Sequence, residues 1–117
     1  MSSPRLLVID DDDSVRRVTC QMLRHGDYDV AEANSGRAGL ECFNNSNFDL
    51  VLLDVSMPDM GGVEVSKVIR EAMPDQKIIF MTGHAEQEDF GLDNPHTWML
   101  GKPFRLAQLL ETVKSVL

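Results

Sequence analysis

The sequence predicts one α/β domain: a mostly parallel sheet of five strands, doubly wound, with helices on both faces. Two observations carry this expectation. Apolar runs, "RLLVI" (5–9), "FDLVLLD" (48–54) and "KIIFMT" (77–82), alternate with amphipathic stretches along the chain, the pattern of a parallel sheet joined by helical crossovers. The runs are also nearly unbroken in apolarity, as strands covered on both faces are. At 117 residues, with no repeats or low-complexity tracts, the chain suits a single core that buries roughly two-thirds of the surface of the unfolded chain.

Strand 5–9 opens the fold. A helix follows with Val15, Val18, Met22 and Leu23 on one side, capped by Asp13 or Ser14 and closed by Gly26. "YDVAEA" (28–33) reads as a strand. Residues 35–43 read as a helix, a pattern that Gly36 and Gly39 weaken. Strand 48–54 leads into "MPDMGG" (57–62), which is turn chemistry. The next helix carries Val65, Val68, Ile69 and Ala72 and stops at Pro74. Strand 77–82 precedes a segment, Gly83 to Thr97, that starts helically and is then interrupted by Gly91 and Asn94–Pro95. "WML" (98–100) is a short final strand. Leu106, Leu109, Leu110, Val113 and Leu117 mark a closing amphipathic helix.

Composition narrows the function. The net charge of −8 argues against direct nucleic-acid binding, which needs a positive field, and suits a cation or a basic partner. No apolar run is long enough to cross a bilayer, and the first apolar segment ends in aspartates rather than a small-residue cleavage site, so the expected location is the cytoplasm. Cys20 and Cys42 match no metal-ligand spacing and are expected to be reduced and partly buried.

In open parallel sheets, ligands sit beyond the carboxyl ends of the strands, and there this sequence collects its chemistry. The first strand ends in Asp10 and Asp11, the third in Asp54 and the fourth in Thr82, while the fifth runs into Lys102–Pro103. Each residue alone has an ordinary explanation as a turn, cap or surface group. Their joint placement at strand ends is much harder to obtain by chance. Two carboxylates about 4 Å apart at an effective dielectric near 20 repel by roughly 4 kcal/mol, so such a cluster calls for a counter-charge. A hard divalent cation held by oxygen ligands, Mg²⁺, supplies it. Asp54 is then placed as a nucleophile toward a phosphoryl group, with Thr82 as hydrogen-bond donor and Lys102 as a point charge on a phosphoryl oxygen. Asp12 and Asp13 are left as solvated charge and first-turn helix acids.

With these residues in view, the chain resembles a response-regulator receiver domain of two-component (His-Asp phosphorelay) signalling. The resemblance runs from "LLVIDDDDSVRR" through "DLVLLDVSMPDMGGVEV" and "IIFMTGHA" to "LGKPF", essentially the whole chain. It implies a flavodoxin-like sheet with strand order 2-1-3-4-5 and a receiver domain over residues 1–117 without an output domain. It implies a switch that catalyses only its own phosphorylation and dephosphorylation. Asp54 would be the phosphoacceptor; Asp11 would ligate Mg²⁺ directly, Asp10 through a water, and Ser56 through its backbone carbonyl. Thr82 would be the moving switch hydroxyl beside Lys102, His84 would tune phosphoryl lifetime together with Ser56, and Pro103 would form a cis bond. The expected partners are a histidine kinase or histidine phosphotransfer protein, or other domains of a longer hybrid kinase.

Two features depart from the family pattern. Met99 stands three residues before the lysine, where the family usually carries Phe or Tyr, with Trp98 beside it. The helix expected between the fourth and fifth strands is short or irregular. Three alternatives remain. One is a pseudo-receiver that binds partners without phosphorylation. Another is a Mg²⁺-dependent phosphatase-like hydrolase of the haloacid-dehalogenase type, which wants an acid where Ser56 stands. The last is a flavodoxin-like cofactor binder, whose phosphate loop Asp10 to Asp13 would repel.

Overall fold

A computed structural model describes residues 3–83 and 94–117. In chain order the elements are β1 (Arg5–Ile9), α1 (Asp13–His25), β2 (Asp29–Ala33), α2 (Gly36–Asn45), β3 (Leu50–Asp54), α3 (Gly62–Ala72), β4 (Ile78–Thr82), β5 (Thr97–Gly101) and α4 (Leu106–Val116). The strands form one parallel sheet in the order β2-β1-β3-β4-β5, as expected.

Leu6 to Ile9, Leu50 to Leu53 and Ile78 to Met81 have no exposed surface, because successive side chains enter opposite helical layers. Leu6, Val8, Leu50, Leu52, Ile79 and Met81 pack with Cys20 and Leu23 of α1 and with Leu109, Val113 and Val116 of α4. Leu7, Ile9, Val51, Leu53, Ile78 and Phe80 pack instead with Phe43 of α2 and with Val65 and Ile69 of α3. Full burial of each such side chain contributes about 2 kcal/mol. Glycine permits the closest approach of helix to sheet: a Cβ on Gly39 would overlap the Ile9 side chain, which explains a glycine inside α2.

Several local expectations are corrected. The cap of α1 is Asp12, whose side chain accepts from the Val15 amide, rather than Asp13 or Ser14. The buried face of α1 is Arg16, Thr19, Cys20 and Leu23, while Val18 is 48% exposed. Periodicity assigned Val18 inward because it cannot foresee that a partnered arginine takes the interior position. Val68, Leu106 and Leu117 are likewise exposed, the last two at helix ends where the layer runs out. Phe48 and Asp49 precede β3 rather than belonging to it, α2 extends to Asn45, and β5 spans Thr97–Gly101. The expected irregular helix between β4 and β5 falls on residues 84–93, outside the described ones.

Candidate phosphoacceptor site

Strand register builds the site. Ile9 is paired with Leu53, so Asp10 and Asp54 follow side by side at the ends of the two central strands. Asp54 is in turn opposite Met81, and Thr82 opposite Gly101. Thr82 and Lys102 therefore arrive at the same edge, where the Lys102 amide donates to the Thr82 carbonyl at 2.8 Å.

One carboxylate oxygen each from Asp10, Asp11 and Asp54 lies within 4.8 Å of the others. Asp10 is fully buried, Asp54 is 7% exposed and Asp11 faces solvent. Lys102 Nζ donates to Asp10 Oδ2 at 2.8 Å and lies 3.4 Å from Asp54 Oδ1. Asp10 Oδ1 accepts from the Asp12 amide at 3.0 Å. The four-aspartate run thus divides by direction: Asp10 and Asp11 turn into the site, Asp12 caps α1, and Asp13 pairs with Arg16 at 2.7 Å.

Three carboxylates face one ammonium, and the imbalance falls on Asp54. Burial first, and the charge of Asp10 second, push its carboxyl up to about 6 against the pull of Lys102. Burial opposes the charge on Lys102, yet its hydrogen bond to Asp10 and the charges of Asp10 and Asp54 raise its pKa on balance. An all-oxygen donor set with surplus negative charge fits a hard divalent cation.

The loop after Asp54 is held tightly. The Val55 amide donates to the Met81 carbonyl and the Gly62 amide to the Val55 carbonyl. A Cβ on Gly62 would strike the Asp54 carbonyl oxygen and come within 3.0 Å of Val55 Cα, so only glycine lets α3 start against the acceptor strand. Asp59 from the same loop accepts the Gly36 and Arg37 amides, tying the loop to the start of α2.

Among the other expected residues, Ser56 lies exposed two positions beyond Asp54, and Thr82 is buried at the end of β4. The Lys102–Pro103 bond is cis. Met99 pairs with Phe80 and packs on the α2/α3 side, whereas Trp98 packs on the α1/α4 side. Trp98 therefore does not share the Met99 position. His84 lies outside the described residues.

Sequence reasoning missed Arg16. It is 8% exposed and donates to the Asp10 carbonyl at 2.9 Å and to Glu32 at 3.0 Å, besides its pair with Asp13. The Asp13–Arg16 spacing was a visible signal; the contact with Glu32 on β2 was not.

The chain matches known proteins over nearly its whole length. The family model for the response regulator receiver domain matches residues 6–114. The chain is 33% identical to the response regulator receiver protein CpdR of Brucella abortus over 97% of this chain and 96% of that one. It is 38% identical to the sensor kinase CckA of the same organism over 98% of this chain but 13% of the kinase. The chain spans about an eighth of the length of the sensor kinases it matches. Among solved structures, the response regulator protein TrrA of Thermotoga maritima, in complex with Mg(2+)-BeF, superposes with a TM-score of 0.87 at 33% identity, covering all of both chains. These matches do not favour a hydrolase or a flavodoxin-like cofactor binder. Among the described residues, no helix is long and apolar enough to cross a membrane. The chain belongs to the response regulator receiver domain family.

Proposed function

We propose that Asp54 accepts a phosphoryl group from a phosphohistidine on a histidine kinase or phosphotransfer protein, and that the resulting acyl phosphate switches the domain. An Asp54 carboxylate oxygen forms the new P–O bond as the P–N bond of the donor breaks, and the histidine nitrogen recovers a proton from solvent. Lys102, 3.4 Å from Asp54 Oδ1, holds a phosphoryl oxygen, and the Thr82 hydroxyl binds another. Asp10, Asp11, Asp54 and the Ser56 carbonyl hold Mg²⁺, which when bound neutralises the charge that gathers on the transferring group.

The single observation that carries this reading is a buried Asp54 kept within reach of an ammonium and two further carboxylates. The relation to TrrA, solved with Mg(2+)-BeF, supports the choice of ion. The chain catalyses only its own phosphorylation and dephosphorylation; Met99 stands without a ring where the family usually carries Phe or Tyr, and His84 and Ser56 set the lifetime of the acyl phosphate. Residues 1–117 form one receiver domain, and the match within a sensor kinase supports a hybrid-kinase context as well as a free-standing regulator. A cytoplasmic location follows from such a donor.

Intact-mass measurement after treatment with acetyl phosphate tests the proposal. Wild type gains one phosphoryl group only when Mg²⁺ is present, and Asp54→Asn gains none. Equal labelling of the variant removes Asp54 from the role.

A further inference from the structure

We infer that Arg16 is a positioning residue for the cation site, an inference that rests on the cation-binding reading above. Its guanidinium is spent on three oxygens from three elements: the Asp10 carbonyl at the end of β1, Glu32 of β2 and Asp13 in the first turn of α1. The contact with Asp10 matters most. The Asp10 carbonyl and the Asp11 amide belong to one planar peptide unit, so gripping that oxygen sets the rotation of the peptide from which both site-facing carboxylates depart. The Asp10 amide is already fixed by the Ala33 carbonyl at 3.1 Å; Arg16 fixes the other side of the residue.

Arginine suits this role through its shape as well as its charge. The rigid fork meets three oxygens lying in different directions, which an ammonium on a flexible stem does not reproduce. Its charge also matches Asp13 and Glu32 outside the site, so these two acids do not add to the surplus around Asp54. Groups that orient ligating carboxylates typically change metal affinity 10–100-fold when removed.

The test compares wild type, Arg16→Lys and Glu32→Ala. Calorimetry gives the Mg²⁺ dissociation constant, and acetyl phosphate labelling gives the rate across a Mg²⁺ series. Arg16→Lys is expected to weaken Mg²⁺ binding by about 10-fold or more. The Mg²⁺ required for half-maximal labelling rises by the same factor, while the rate at saturating Mg²⁺ stays within about twofold of wild type. Glu32→Ala, which removes one partly exposed partner, weakens binding about threefold and decides the matter if Arg16→Lys does not fold. An unchanged Mg²⁺ constant in the folded variants overturns the inference, as does a lowered saturating rate without a change in Mg²⁺ binding. A wild type that neither binds Mg²⁺ nor is labelled instead contradicts the proposed function itself, and this inference with it.

Discussion

At the carboxyl end of the sheet, the buried carboxylates of Asp10 and Asp54 lie 2.8 and 3.4 Å from the partly buried Lys102 ammonium; at the amino end, Arg5, Asp29 and Asp49 meet in water. There, Arg5 Nε lies 3.3 Å from Asp29 with both side chains substantially exposed, its amide donates to Asp49, and its guanidinium lies over the Phe48 ring. Each end sets aspartates beside one basic side chain, but solvent screens one set and not the other. At the amino end each charge is nearly independent of its neighbours. At the carboxyl end every charge depends on the others, and a surplus of acid is left for a cation or a phosphoryl contact to resolve.

The largest contrast should come from removing one cation at each end. Lys102→Met strands the fully buried Asp10 and is expected to lower unfolding free energy by about 3 kcal/mol. Arg5→Met breaks an exposed pair and should cost less than about 1 kcal/mol. Urea denaturation of both variants at neutral pH measures the difference. Equal losses would mean that burial does not separate the two ends.

An effect of opposite sign is expected at Asp54. Its folded-state pKa of about 6 lies above the ordinary 3.8, so the folded state binds this proton more tightly than the unfolded chain does. The associated stability is complete below about pH 4 and is lost as pH rises through about 6, amounting to up to about 3 kcal/mol by pH 7. Asp54→Asn cannot ionise. Without Mg²⁺ it should therefore be more stable than wild type at pH 7, with the gap closing toward pH 4. Thermal unfolding across this range checks it, and a gap that stays constant with pH would remove the penalty from Asp54.

The carboxyl end was legible in the sequence, whereas the meeting of Arg5, Asp29 and Asp49 at the amino end was not. The strands were readable because unbroken apolar runs such as Leu6 to Ile9 have no other stable use, and parallel register then carried Asp10, Asp54, Thr82 and Lys102 to one edge. What stayed hidden was contact between distant elements. Arg16 turns inward only because Glu32 and the Asp10 carbonyl wait for it, and no helical periodicity records such partners. Its burial leaves Val18 outside. Likewise, Asp59 read as a turn residue, but its grip on the Gly36 and Arg37 amides depends on how α2 meets the β3–α3 loop. Met99 and Trp98 were adjacent candidates in sequence; strand alternation sends them to opposite layers.

Carboxyl-carbon NMR titration of Asp54, with and without millimolar Mg²⁺, addresses the charge surplus at its source. The structure predicts a midpoint near 6 in the absence of the ion and a clear downward shift when it is added, because a bound cation favours the ionised form. An ordinary carboxylate midpoint that Mg²⁺ leaves unmoved would contradict the account.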